Sequence, residues 1–169
     1  MKGCFCVEKK PGFTHFDESG NAIMVDISSK SITERLAVAT GKITMSRECY
    51  EALKTGTVKK GDVLGAARLA GIMGTKQTSQ LIPLCHILSI EQASIDFGFD
   101  DEFCTITAEC SIKVTDKTGA EMEALTGVAV TLLTVYDMCK SIDKGMTIGE
   151  ICLLAKQGGK SGNYERIST

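Results

Sequence analysis

Apolar and polar residues alternate over the eleven positions from 104 to 114, and this pattern constrains the fold of the chain more than any other feature. Because successive side chains of a β-strand point to opposite faces of a sheet, the alternation predicts a strand with one buried and one solvated face. Such strands are typical of an antiparallel sheet that is covered on one side. The apolar positions are Cys104, Ile106, Ala108, Cys110, Ile112 and Val114, and the polar positions are Thr105, Thr107, Glu109, Ser111 and Lys113.

The segments on either side extend this prediction to a hairpin and a long helix. Leu88 to Phe99 is predicted to be a strand with a bulge near Gln92, and Asp100-Asp101 is predicted to make the turn. Thr118 to Glu121 has the spacing of a capping box, with Thr118 as the N-cap. We expect a helix from there to about Ile142, because its apolar residues recur at spacings of three and four.

The remaining segments complete an α+β pattern. We predict strands at Ile23–Ile27, Leu36–Met45 and Met146–Lys156, with a possible bulge at Gly41, and helices at Arg47–Lys54, capped by Ser46, and from Gly61-Asp62 to about Gln80. The second of these helices is rich in Gly and Ala, which indicates close packing against a neighbour or ligand. The order of the elements predicts an antiparallel sheet with helices packed on one face, an α+β sandwich of the ferredoxin-like type.

Length and composition favour one globular domain. The chain has 169 residues, of which 43% are apolar and 24% charged. We expect a flexible N-terminal tip at residues 1–12 and a single α+β domain at residues 13–169. No 18-residue apolar run or secretory signal is visible, so we expect no membrane partner and a cytoplasmic location. A net charge of −2 argues against nucleic acid as a partner.

The eight cysteines do not form a recognisable disulfide or zinc pattern. Six of them stand singly in apolar stretches and are interpreted as reduced core residues: Cys49, Cys85, Cys104, Cys110, Cys139 and Cys152. Cys4 and Cys6 form a C-x-C pair upstream of His15, but no second pair completes a zinc site. We therefore expect no bound metal, and we assign His15 no role.

Several charged residues could serve chemistry or only stability. Asp137 and Lys140 share a helix face, where they could act in acid–base catalysis or form a surface ion pair. Lys60, at a helix start, makes more sense if an anion binds there. His86 could titrate near neutral pH or be structural. Glu121 and Glu123 complement a helix dipole, which is sufficient reason for their position.

The C-terminal sequence QGGKSG is not a nucleotide-binding P-loop. That motif needs a glycine where this chain has Leu154, and it needs a following helix, for which the eight residues after Ser161 leave no room. The glycine amides with Lys156 and Lys160 could still bind phosphate oxygens, or the tail could be flexible and solvated.

Seven motifs, taken together, identify a family resemblance. MVDISSK, KKGDV, ARLAGI, LIPLCH, TGAEMEALT, YDMCK and LLAKQGGKSG occur in this order from about Phe13 to Tyr164. They resemble molybdenum-cofactor biosynthesis protein C, the cyclic pyranopterin monophosphate synthase family. The resemblance implies a lyase that converts 3′,8-cyclo-7,8-dihydroguanosine 5′-triphosphate to cyclic pyranopterin monophosphate and pyrophosphate, with no metal or redox cofactor. It also implies a homohexamer of three dimers with each site at a dimer interface.

The resemblance also implies which residues act. By this resemblance, the catalytic aspartate of the family corresponds to Asp137, and its essential lysines correspond to Lys60 and Lys140. Its substrate contacts fall on Leu84, Cys85, His86, Glu121, Met122 and Glu123. Arg35, Lys76, Lys156 and Lys160 look like phosphate or substrate ligands. A triphosphate carries about four negative charges, which gives these separate cations one purpose.

One departure and two rival functions bear on this interpretation. Ile87 stands where the family commonly has proline, which puts the rigidity of the loop in doubt. A non-catalytic nucleotide-sensing domain would use the same lysines for binding alone. Phe97-Gly98-Phe99 could belong to an RNA-binding sheet, but the acidic neighbours Asp96, Asp100 and Asp101 disfavour it.

Overall fold

A computed structural model describes residues 15, 17, 19–160 and 162–167 of the chain. Their strands are β1 (Thr33–Thr44), β2 (Ile90–Asp100), β3 (Thr105–Asp116), β4 (Thr147–Gln157) and the two-residue β5 (Tyr164–Glu165). Their helices are α1 (Arg47–Lys54), α2 (Val63–Thr75), the short α3 (Thr78–Leu81) and α4 (Glu121–Cys139). The predicted tip at residues 1–12, with Cys4 and Cys6, lies outside the described residues.

The five strands form one antiparallel sheet in the order β2-β3-β1-β4-β5. β1 lies at its centre, paired with β3 from Thr33↔Asp116 to Thr44↔Thr105. The helices α2 and α4 pack on each other and on one face of this sheet. The predicted α+β ferredoxin-like sandwich is therefore confirmed.

The apolar side chains of β3 are buried, as the alternation in the sequence predicts. Ile106, Ala108, Cys110, Ile112 and Val114 are all fully buried toward the helices. The predicted irregularities are also present, because the register between β2 and β3 shifts between Ile90 and Gln92, and that between β1 and β4 shifts around Gly41. At Gly41 a Cβ would lie 2.7 Å from Val128 Cγ1 of α4, so α4 rests directly on the β1 backbone.

Helix starts are confirmed at two positions and corrected at one. Ser46 accepts a hydrogen bond from the amide of Cys49 at the start of α1, and Asp62 accepts one from Gly65 at the start of α2. The predicted Thr118 capping box of α4 is wrong, because the N-cap is Ala120 and no side chain caps it. The carboxylate of Glu121 pairs instead with Lys156, with an Oε1–Nζ distance of 3.0 Å.

One predicted strand is absent, and two helices end earlier than predicted. Residues 23–27 are not a strand, because their backbone hydrogen bonds go to separate groups rather than to one neighbouring strand. Ile23 donates to the His15 carbonyl, and the Nε2–H of His86 donates to the Val25 carbonyl at 2.9 Å. α2 ends at Thr75 instead of about Gln80, and α3 follows it. α4 ends at Cys139, three residues before the expected Ile142.

Among the described residues, α4 is the one helix long and apolar enough for a membrane span. It packs against β1, β3, β4 and α2. One face of α4 therefore belongs to the core of this fold.

The interface between α2 and α4 depends on residues with little or no side chain. A Cβ on Gly71 of α2 would overlap Thr131 Oγ1 and Ile95 Cδ1 and would lie 2.9 Å from the Gly127 carbonyl oxygen. A Cβ on Gly74 would lie 2.8 Å from Val130. The small residues of α2 therefore bring its backbone close to α4, as the sequence indicates.

Gly71→Ala is expected to destabilise the fold by about 1–3 kcal/mol, although alanine is the better helix former, because the added methyl has no space. Chemical denaturation monitored by circular dichroism measures this free energy of unfolding. Ala66→Val is the matched control, because it enlarges an exposed position of the same helix. Equal stability of Gly71→Ala and the unmodified chain would contradict the proposed close contact.

Candidate active site

The first cluster of candidate residues lies at the C-terminal end of α4. The Nζ of Lys140 lies 2.5 Å from Oδ1 of Asp137, and the Nζ of Lys60 lies 3.8 Å from Oδ2. Lys60 also donates to the main-chain carbonyl of Asp137 at 2.8 Å. All three side chains are exposed, with 44% to 61% of their surface accessible. One carboxylate thus holds two ammonium groups together at the surface.

The electrostatics of this cluster favour its charged form. The hydrogen bond from Lys140, followed by the charges of Lys140 and Lys60, lowers the pKa of Asp137. The same hydrogen bond and the Asp137 charge raise the pKa of Lys140. Lys140 is therefore held in its cationic, proton-donating form when Asp137 is its neighbour.

A second cluster surrounds the N-terminal end of α4. A cavity of about 760 Å³ is lined on one side by the 82–88 loop and on the other by the first turn of α4. Most of the surface it exposes is apolar. The predicted substrate contacts that line it are Leu84, Cys85, His86, Glu121, Met122 and Glu123.

The 82–88 loop is positioned by its backbone and by one histidine. Ile82 is extended, with φ −111° and ψ 107°, as its place before Pro83 requires. His86 is tied to the segment before β1 by its bond to the Val25 carbonyl. Because Nε2 carries the proton in that bond, Nδ1 is the acceptor nitrogen of the neutral ring. Ile87 is 86% exposed and does not line the cavity.

Glu123 is the most unusual acid in the cavity wall. Its side chain is only 4% exposed, whereas Glu121, two residues earlier, is half-buried and paired with Lys156. Burial, with a smaller contribution from the charge of Glu121, raises the pKa of Glu123 to about 7. Burial also raises the pKa of the Cys85 thiol, and the charge of Glu123 adds to that shift. The buried carboxyl of Glu123 therefore takes up a proton more readily than an ordinary glutamate does.

A smaller basic cavity of about 200 Å³ adjoins the first. Arg35, Lys156 and Lys30 line it, together with Glu121 and the glycine at position 158. Lys30, Thr118, Gly119 and Glu121 line both cavities, so the two lie side by side at the start of α4. An apolar compartment thus opens beside a cationic one, as a ligand with a ring and a phosphate chain would require.

Two predicted ligands lie apart from both clusters. Lys76 caps the C-terminal end of α2 and is exposed, and Lys160 is exposed in the turn after β4. Neither lines a cavity described above. Within the part of the chain that the structure describes, no three His, Cys, Asp or Glu side chains are grouped as metal ligands.

Sequence reasoning missed two cavity residues that have titratable side chains. His15, to which we assigned no role, lines the larger cavity, and its carbonyl accepts a hydrogen bond from Ile23 at 2.9 Å. Lys30 lines both cavities. Only its place in the motif MVDISSK distinguished Lys30 in the sequence, and no local pattern indicated that the chain before β1 folds back over the 82–88 loop.

Comparison with known proteins shows the family to which the chain belongs. Residues 24–159 match the family model described as the MoaC family, which covers most of the chain. The chain belongs to the MoaC family. Both cavities and the Asp137 cluster are built within the matched region, apart from contributions by His15 and Ala22.

Individual relatives of the MoaC family match over nearly their whole length. The chain is 56% identical over 152 residues to a cyclic pyranopterin monophosphate synthase of Clostridium botulinum (strain Alaska E43 / Type E3), covering 90% of this chain and 96% of that protein. It is 53% identical over 154 residues to the protein of the same name from Pelobacter propionicus, covering 91% and 96%. The family resemblance inferred from the seven motifs is therefore confirmed.

Glu123→Gln is expected to stabilise the protein at pH 8 by about 2–3 kcal/mol more than it does at pH 5. The carboxyl of Glu123 has a higher pKa in the folded than in the unfolded chain. The contribution of this carboxyl to the stability of the fold is therefore fully present below its unfolded pKa of 4.5, and it is lost as the pH rises to its folded pKa of about 7. Glutamine has no proton to lose. Denaturation at the two pH values measures the difference.

Glu121→Gln serves as the control for the Glu123 measurement, because Glu121 is paired with a cation and only half-buried. It is not expected to become more stabilising as the pH rises. An equal pH response of the two variants would show that burial does not set the protonation of Glu123.

Proposed function

We propose that this chain is a cyclic pyranopterin monophosphate synthase. It would convert 3′,8-cyclo-7,8-dihydroguanosine 5′-triphosphate to cyclic pyranopterin monophosphate with release of pyrophosphate, as a lyase of molybdenum cofactor biosynthesis. The observation that carries the proposal is the juxtaposition of an apolar and a cationic cavity at one end of α4, in a chain 53–56% identical to proteins of that name.

The two cavities divide the substrate by polarity. The ring system fits the larger compartment, where Leu84, Met122 and the neutral form of Glu123 offer apolar contact and a hydrogen-bond donor. The phosphate chain fits the smaller compartment, where Arg35 and Lys156 neutralise its charge. Lys156 forms an ion pair with Glu121. Substrate binding would therefore replace the Glu121 carboxylate beside Lys156 with phosphate oxygens.

The Asp137 cluster supplies the proton chemistry. Lys140, held as a cation by Asp137, is suited to donate a proton while the five-membered ring opens and the new ring closes. Lys60 is positioned by the Asp137 carbonyl and shares this carboxylate. A sugar-derived hydroxyl would then attack the innermost phosphorus, and the cationic groups would stabilise the departing pyrophosphate.

One copy of the chain cannot present both clusters to one ligand. Glu121 and Asp137 stand sixteen residues apart on α4, which separates them by about 24 Å along the helix axis. We therefore propose that each active site is composite, with the cavities from one copy and Asp137, Lys60 and Lys140 from a second copy.

The exposed surface of α4 suits that second copy. Between its two ends runs a partly exposed stripe of small and apolar residues that includes Thr126, Ala129 and Leu133, and Leu133 is 59% exposed. The neighbouring helix α2 continues it with Leu69 and Met73, which are 62% and 58% exposed. A two-fold axis through this stripe would set two α4 helices antiparallel and bring the Met122 end of one beside the Asp137 end of the other.

We further propose that these dimers assemble as a homohexamer and act in the cytoplasm. The hexamer follows from the family resemblance. The compartment fits the six described cysteines, all of which are free thiols, as a reducing environment would keep them.

Pyrophosphate release from the cyclised triphosphate tests the activity directly. The unmodified protein is expected to release it, whereas Lys140→Ala alone and His86→Ala alone are expected to be inactive. Co-expression of the two variants with different tags is expected to restore about a quarter of the activity, because random pairing leaves one intact composite site in half of the dimers.

Two controls support the mixing experiment. Lys144→Ala removes an exposed lysine close to the same helix end and is expected to keep full activity. Size-exclusion chromatography of each variant checks that assembly is retained. Substrate binding by the unmodified protein without turnover would indicate a nucleotide-sensing domain, and a mixture as inactive as its components would contradict the composite site.

Leu133→Asp is expected to dissociate the proposed dimer and abolish activity, because it buries a charge in an apolar interface. Sedimentation velocity measures the change in mass. Phe103→Asp is the matched control: Phe103 is 64% exposed but lies in the β2–β3 turn, away from the stripe. A Leu133→Asp protein of unchanged mass would rule out this face as the dimer contact.

A further inference from the structure

Two consecutive glycines after β4 lie against the start of β1. Gly158 and Gly159 have φ values of +87° and +76°, in the left-handed region that favours glycine. A Cβ on Gly158 would overlap the Glu34 carbonyl oxygen, and a Cβ on Gly159 would overlap the guanidinium of Arg35. The turn therefore touches the same cation that lines the basic cavity.

Arg35 is fixed on its other edge by main-chain carbonyls. Its Nε donates to the Asp116 carbonyl at 3.0 Å, and its Nη2 donates to the Lys117 carbonyl at 3.1 Å. The nitrogen nearest to Gly159 is Nη1, on the opposite edge of the planar group. The guanidinium thus lies between the end of β3 and the glycine turn, with little space to shift without losing a bond.

Backbone conformation alone does not account for Gly159. Gly162, in the same tail, has a φ of +71°, and among the described residues no atom lies within 4 Å of the position that a Cβ would take there. Both positions require the left-handed conformation, but only Gly159 also has the guanidinium against it. A comparison of substitutions at Gly159 and Gly162 therefore distinguishes the effect of backbone strain from the effect of contact with Arg35.

We propose that Gly159 is a positioning residue, whose missing side chain lets the guanidinium of Arg35 stay on the Asp116 and Lys117 carbonyls and face the phosphate chain. This inference rests on the proposed function. Because Gly159 acts through Arg35 on phosphate binding and not on proton transfer, its replacement raises KM and leaves kcat nearly unchanged.

The test compares Gly159→Ala with Gly162→Ala in pyrophosphate release as a function of substrate concentration. Gly159→Ala is expected to raise KM about tenfold, the size of effect that losing one charge-assisted contact produces, with kcat within about twofold. Gly162→Ala is expected to change neither. Equal KM values for the two variants would overturn the proposal.

Arg35→Lys provides a second comparison. A lysine at position 35 has no guanidinium, so it is expected to leave room for the methyl group of Gly159→Ala. Gly159→Ala in the Arg35→Lys background is expected to have the KM of Arg35→Lys alone, and this comparison holds even where Gly159→Ala by itself does not fold. A double variant that binds more weakly than Arg35→Lys alone, or that also fails to fold, would contradict the assignment.

Failure of the proposed function remains distinguishable from failure of this inference. An inactive unmodified protein would refute the synthase proposal. Titration of inorganic pyrophosphate into the unmodified protein and the two glycine variants, followed by calorimetry, measures phosphate binding without any turnover. Weaker pyrophosphate binding by Gly159→Ala than by Gly162→Ala supports the positioning role, and equal binding refutes it.

Discussion

The close contact between α4, α2 and the centre of the sheet is the constraint on which the rest of the structure depends. Gly41 on β1 and Gly71 on α2 leave space that any side chain would fill. α4 therefore lies directly on two backbones, and its direction across the sheet is fixed. Both candidate clusters are attached to its ends, so the packing of three elements determines where these side chains lie.

The contrast between three carboxylates shows how the fold assigns different roles to one type of group. Asp137 is exposed and ionised between two lysines, Glu121 is half-buried and paired with Lys156, and Glu123 is buried in the cavity wall. The last of these is the one whose pKa approaches neutrality, because burial penalises its charged form. Three carboxylates of one helix thus differ in partner and in environment because of their positions alone.

Local patterns predicted the features that local physics controls. The alternation of β3, the Ser46 cap, the helix start at Gly61-Asp62 and the bulges near Gln92 and Gly41 depend on neighbouring residues, and the structure confirms them. The capping box at Thr118 was wrong because Glu121 has a stronger partner, Lys156, which lies 35 positions further along the chain. The predicted strand at residues 23–27 was wrong because its backbone bonds to separate groups, His86 among them, and not to one neighbouring strand.

The candidate site required more than local patterns. Motif resemblance named the cavity residues, yet spacing alone could not bring Lys60 to Asp137 or Arg35 to Gly159, since these contacts join separate elements of the fold. His15 escaped notice for the same reason. The separation of the two clusters also became visible only when both were placed on one straight helix.

The most direct measurement is a crystal structure of the protein with the cyclised triphosphate or its product bound. The account predicts the ring in the cavity beside Glu123, the phosphates beside Arg35 and Lys156, and the ammonium groups of Lys60 and Lys140 from a second copy within hydrogen-bond distance. A ligand that contacts Lys140 of the same copy, or that lies away from both cavities, would contradict it.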